Sequence, residues 1–149
     1  MRLLSRSLSD LATSRRLVLL SLFALPWVVL VAPSGTTLIF PWGLVNPASL
    51  HVTTLPEYLF VLTVGLPPQL LAWPLSVLFY LLALVSAFSG RVEDRRVTGG
   101  LLVLAGVTQL NFVFRFVAYG GLVVPLGPIA VFAVVWWFHW PDLRGALSR

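Results

Sequence analysis

The stretch from Gly99 to Tyr119 constrains this chain most, because it is almost wholly apolar and about as long as a helix that crosses a bilayer. Its only charged residue is Arg115. On a helix, four polar positions fall within about 80° of one another and form one stripe, which leaves Gln109 outside it: Thr108, Asn111, Arg115 and Tyr119. A charge inside an apolar span is costly, so this stripe is a candidate site.

The composition of the whole chain points the same way. Of its 149 residues 58% are hydrophobic and only 10% are charged, whereas an ordinary soluble domain has about a quarter charged residues. The sequence therefore predicts a single membrane domain with the lipid bilayer as its solvent. The net charge of +5 does not indicate nucleic acid, because the arginines lie beside apolar runs and form no basic face.

Hydropathy, prolines and charge divide the chain into an all-α integral membrane protein with four transmembrane helices and a short outer-side helix. The expected order is a cytoplasmic amphipathic segment (1–16), a first span (17–32), an outer loop (33–54), a short outer helix (55–66), a second span (69–88), a cytoplasmic loop (90–98), a third span (99–119), a fourth span (122–140) and a cytoplasmic tail (141–149). Whether residues 55–66 lie on the membrane or dip into it is left open.

The arginines set the expected orientation. With four spans and an inside N-terminus, nine of the ten arginines fall on the cytoplasmic side and the outer connections have none. This distribution follows the positive-inside rule. It predicts a multi-pass protein of the cell membrane with both termini cytoplasmic (N-in/C-in).

Arg115 is the one arginine left on the outer side, and Glu57 is the carboxylate expected near it. We expect a polar intramembrane cluster of six residues: Arg115, Asn111, Gln109, Thr108, Tyr119 and Glu57. Such a cluster is either a set of internal hydrogen bonds and ion pairs that fixes helix register or a binding site for an anionic solute or lipid head group. A third alternative is that Arg115 extends to the membrane surface without a partner.

No motif in the sequence carries a reaction. The chain has no cysteine and no lysine, which removes thiolate metal sites and Schiff-base chemistry. His51 and His139 are far apart, and we interpret them as a loop residue and a residue at the membrane interface. We therefore expect no catalytic residue, no cofactor and no metal site.

The chain resembles small polytopic membrane protein families of unknown function from halophilic archaea. The resemblance rests on its size, its arginine-only basic residues, its Val/Leu/Ala-rich spans and the pairs Pro26-Trp27, Pro41-Trp42 and Trp73-Pro74. It implies an integral membrane protein and adds no catalytic residue.

Three functions stay open at this point. The favoured one is a non-enzymatic accessory or structural subunit that packs with other membrane proteins or with copies of itself. The alternatives are a small transporter or channel protomer with a polar site around Arg115, and a membrane enzyme that acts on lipid. In each case the lipid bilayer is a partner and nucleic acid is not.

Overall fold

The computed structural model describes residues 2–62, 72–90, 94–118 and 120–148. Its helices are α1 (Arg2–Ala24), α2 (Leu55–Glu57), α3 (Ala72–Phe88), α4 (Arg95–Ala118), α5 (Leu126–Val134) and α6 (Trp140–Leu147). π-Helical turns follow α2 at Tyr58–Leu62 and join α5 to α6 at Val135–His139. The strands are β1 (Val28–Ala32), β2 (Gly35–Phe40), β3 (Gly43–Asn46), β4 (His51–Thr54) and β5 (Leu122–Val124).

The five strands form one antiparallel sheet in the order β4-β3-β2-β1-β5. Two-residue turns join the first three strands, since Ala32 pairs with Gly35 and Phe40 pairs with Gly43. Gly35 has a φ of 131°, a conformation that side chains disfavour, so glycine suits the end of the first turn. β-Branched residues such as those of β1 (VVLVA) favour the extended chain.

Trp27 joins the helices to the sheet. Proline has no N–H and disfavours a helical residue before it, so Pro26 accounts for the end of α1 at Ala24. The Trp27 backbone N–H donates to Ile39 O at 2.7 Å, and its carbonyl accepts from Gly127 N at 2.6 Å. The indole is 1% exposed.

Polar side chains also tie the helices together. The Tyr80 hydroxyl of α3 donates to Leu19 O of α1 at 2.6 Å, and the Ser76 hydroxyl donates to Ala105 O of α4 at 3.0 Å. Burial raises the pKa of Tyr80 well above its usual range, so the phenol stays protonated and keeps donating. Both side chains are fully buried among the apolar residues of the core.

The predicted fold class is wrong. Residues 28–54 form four strands and residues 122–124 a fifth, so the protein is not an all-α bundle of four spans with an N-in/C-in arrangement. The expected first span, 17–32, is divided between α1 and β1. The apolar and β-branched residues that suggested a span and an interfacial loop pair with one another instead, which satisfies their backbone groups within the sheet.

The predicted localisation is corrected with the fold. In the described part of the chain, α4 alone has the length and apolar composition needed to cross a membrane, and α3 is a shorter apolar helix. The prediction of a multi-pass protein of the cell membrane with both termini cytoplasmic is therefore wrong. Residues 63–66 of the expected outer helix, 69–71 of the expected second span, 91–93 of the expected loop and Tyr119 lie outside the described residues.

Replacement of Gly127 by alanine should destabilise the junction around Trp27. A Cβ at position 127 would lie 2.6 Å from Trp27 Cβ and 2.8 Å from Trp27 Cα, and it would also meet the Gln109 side-chain oxygen. Overpacking of this kind costs about 1–3 kcal/mol. We expect Gly127→Ala to lower the free energy of unfolding by that amount in thermal or urea unfolding.

The matched control is Gly121→Ala, because a Cβ there meets no atom within 4 Å. Its unfolding midpoint should stay within experimental error of the parent or rise slightly, since alanine restricts the unfolded chain. Equal losses for the two variants would contradict this account of Gly127.

Candidate functional site

Arg95, the first residue of α4, connects α4 to the last part of the chain. Its Nη2 donates to Phe138 O at 2.8 Å, and its Nε lies 3.3 Å from Asp142 Oδ2. The Arg95 side chain is half exposed, at 51%. These contacts hold the cation against the start of α6 and set its direction.

His139 lies beneath this arginine and is fully buried. Its Nδ1 is 3.2 Å from Arg95 O, and a carbonyl oxygen only accepts, so Nδ1 carries the proton and donates. The ring is packed so closely on α4 that a Cβ at Gly99 would lie 2.9 Å from His139 Cβ. Glycine at position 99 makes this approach possible.

The imidazole stays neutral at physiological pH. The pKa of His139 is lowered to about 4, and burial is the largest cause. The positive charge of Arg15 also lowers the pKa, whereas the hydrogen bond to the Arg95 carbonyl raises it. Nε2 is buried and has no hydrogen-bond partner among the described residues. His139 is therefore a neutral core residue with one hydrogen bond.

Arg15 of α1 lies close to Arg95 and His139. It is 4% exposed although most of α1 before it is open to solvent. The next residue, Arg16, donates from Nε to Ala87 O at 3.1 Å and so ties α1 to the end of α3. Between α1, the start of α4 and the π-helical turn before α6 lies a cavity of about 350 Å³, lined by Leu8, Leu11, Ala12, Arg15, Arg95, Trp137 and Phe138.

The lining of this arginine cavity limits what it does chemically. Arg15 and Arg95 line it, the other described lining residues are apolar, and none of the described lining residues carries a carboxylate, hydroxyl or imidazole. Guanidinium groups bind carboxylates and phosphates and do not serve as nucleophile or base. No group of three or more His, Cys, Asp or Glu residues placed to hold a metal ion occurs within the described ranges. The arrangement fits binding of an anion that also has an apolar part.

The polar stripe predicted on α4 makes mostly local contacts. Arg115 is exposed, and its Nε donates to Asn111 Oδ1, one turn earlier, at 3.2 Å. The Thr108 hydroxyl donates to carbonyls of its own helix, Leu104 O at 2.8 Å and Ala105 O at 2.9 Å. Tyr119 is outside the described residues.

Gln109 and Glu57, the other two members of the predicted cluster, do not contact Arg115 or Asn111 through a hydrogen bond in the described structure. Gln109 is 2% exposed, lies close to Trp27 and Gly127, and its side-chain amide has no hydrogen-bond partner in the described part of the chain. Glu57 is exposed on α2, where its backbone N–H donates to the Thr54 hydroxyl at 3.4 Å. Within the described residues Arg95 pairs with Asp142, and no ion pair joins Glu57 to Arg115.

Sequence analysis did not find the arginine cavity. The expected organisation placed Arg15 in the cytoplasmic amphipathic segment, Arg95 in the cytoplasmic loop and His139 at the membrane interface. The three residues come from separate segments of the chain, so no local spacing links them. The nearest signal in the sequence is Gly99-Gly100 at the start of the expected third span, which the structure places within α4.

The chain belongs to the family described as "Domain of unknown function (DUF8050)", whose model matches residues 4–149. Comparison with curated proteins gave no match, and neither did comparison with solved structures.

The buried His139 should make stability fall in mild acid. Its pKa in the folded protein, about 4, is below the value of 6.5 in the unfolded chain, so the unfolded chain binds the proton first as the pH falls. The free energy of unfolding should be constant above about pH 6.5 and drop between pH 6.5 and 4, by up to about 3 kcal/mol at about 1.4 kcal/mol per pKa unit.

Urea unfolding from pH 8 to 4 measures this dependence. His139→Asn keeps a side-chain N–H donor near Arg95 O but does not titrate, so its curve should lose the His139 component. His51→Asn is the control, because His51 is exposed on β4. An unchanged slope in His139→Asn would contradict the burial argument.

Proposed function

We propose that this protein is a non-enzymatic accessory or structural protein whose partner is a lipid bilayer. The outer face of α3 carries the proposal. This helix contains no charged residue, and each of its exposed residues is Leu, Val or Phe: Leu75, Leu78, Leu81, Leu82, Val85 and Phe88. An exposed apolar face of this kind marks a surface that something other than water covers.

Other helices extend the apolar surface. On α4, Leu104, Val107, Phe114 and Val117 are exposed, and on α5 Ile129 is 63% exposed. A single protein interface covers one patch of about 800 Å² on each partner. Apolar residues on several helices are covered more completely by lipid chains, which adapt to every side of a helical surface.

One end of the helices has the residues expected at lipid head groups. Trp136 and Trp137 are exposed, and Trp136 stacks on Trp140 with ring centroids 5.2 Å apart. Trp137 also lines the cavity that contains Arg15 and Arg95. Tryptophan and arginine together are typical of the boundary between lipid and water.

The non-enzymatic part of the proposal is supported by the lining of the arginine cavity, which offers cations and apolar groups. The transporter alternative depended on Arg115, which does not line the arginine cavity. Origin in a halophilic archaeon also stays a proposal. It is supported by the arginine-only basic residues, and the source organisms of other family members would test it.

Flotation with phosphatidylcholine vesicles tests the lipid partner. We expect the full chain to float with the vesicles. The double change Leu78→Glu with Leu82→Glu should reduce the bound fraction at least about tenfold, because each buried leucine contributes about 1.5–3 kcal/mol.

The matched control is Leu50→Glu with Val52→Glu. These residues lie in and just before β4, outside α3 and α4, and are 87% and 48% exposed. Their replacement should leave flotation unaltered. A chain that stays monomeric and does not float would overturn the proposal. A defined homo-oligomer in lipid-free buffer that does not float would instead assign the apolar face to a second copy.

A further inference from the structure

The arginine cavity combines two cations with an apolar rim. Arg15 comes from α1 and Arg95 from α4, so the site exists only when the two helices are docked. Asp142 offsets part of the Arg95 charge but does not line the cavity. Among the described residues that line the cavity, Arg15 and Arg95 are the charged ones.

The orientation of Arg95 is set before any ligand arrives. Two of its nitrogens are held by Phe138 O at 2.8 Å and by the Asp142 carboxylate at 3.3 Å. A guanidinium has five N–H donors in a planar fork, so donors remain for a phosphate or carboxylate. A cation fixed in advance loses less conformational freedom on binding than a mobile one.

The rest of the cavity suits a hydrocarbon chain. Leu8, Leu11 and Trp137 are 68%, 58% and 77% exposed, so the apolar wall continues to the outer surface. A volume of about 350 Å³ is at the small end of ligand sites, which are typically about 300–1,000 Å³. It accommodates a head group and the first part of a chain, and the remainder of the chain lies along the exposed apolar residues.

We propose that the arginine cavity binds one anionic lipid, with the phosphate on Arg15 and Arg95 and the acyl chain against Leu8, Leu11 and Trp137. The proposal deepens the proposed function and rests on it for the supply of lipid. It specifies which lipid class is held individually and by which residues, whereas contact with the bilayer at large involves the outer faces of the helices.

Native mass spectrometry of the full chain in a non-ionic detergent tests the site. The probes are phosphatidic acid, phosphatidylcholine with the same acyl chains, and inorganic phosphate. We expect one phosphatidic acid to be retained per chain at a concentration at which phosphatidylcholine is not. Inorganic phosphate at a hundredfold excess should leave this retention unchanged, because phosphate has no acyl chain.

Leu11→Glu is the main variant, since Leu11 is exposed and the change places a carboxylate in the cavity without touching the core. It should reduce retention of phosphatidic acid at least tenfold. Leu4→Glu is the matched control, because Leu4 lies two turns earlier on α1, is 71% exposed and does not line the cavity. Arg95→Gln should reduce retention to a similar extent, with circular dichroism to verify folding.

Equal retention of phosphatidylcholine, displacement by inorganic phosphate, or equal effects of Leu11→Glu and Leu4→Glu would each overturn the proposal. The outcome is separate from that of vesicle flotation. Flotation on phosphatidylcholine with no selective retention would leave the bilayer as partner and remove the anionic site. Selective retention without flotation would leave the site and remove the bilayer.

Discussion

The structure depends on the place that Trp27 occupies. Its backbone N–H and carbonyl bond to Ile39 in β2 and to Gly127 in α5, and its indole N–H donates to Leu22 O of α1 at 2.9 Å. The ring packs edge-on against Tyr80 of α3, with centroids 5.2 Å apart. One residue therefore sets the positions of α1, α3, α5 and the sheet. Its three hydrogen bonds satisfy the polar groups of a residue that is 1% exposed, so each is expensive to lose.

The contacts of Trp27 separate two ends of the helices that have different neighbours. On one side of it lies the sheet, where Trp73 Nε1 donates to Phe40 O at 3.2 Å. On the other side α1 runs past α3, and Arg16 reaches Ala87 O. This docking brings Arg15 to Arg95 and His139. The outer faces of α3 and α4 are apolar between the two ends. The arginine cavity and the proposed lipid contact therefore both depend on the same packing of the helices.

The error in the predicted fold came from residues 28–54. Their apolar and aromatic side chains were interpreted as part of a span and an interfacial connection, although turn-forming pairs and β-branched runs are also present. Helix and strand are hard to distinguish in short apolar runs. Strand pairing decides the conformation here, because β1 pairs with β2 on one side and with β5, more than 90 positions later, on the other. No local pattern encodes a partner so distant in the chain, and the same holds for the arginine cavity, whose cations come from positions 15 and 95.

What the sequence determined by itself is local and compositional. It excluded thiolate and lysine chemistry, it ended α1 at Ala24 ahead of Pro26, and it supplied the Thr54 hydroxyl that caps α2, because each depends on a residue and its nearest neighbours. The tertiary structure alone decided that His139 is buried and neutral, and that Arg15 and Arg95 share a cavity. Those outcomes depend on desolvation and on contacts between distant segments, which exist only after the helices dock against the sheet.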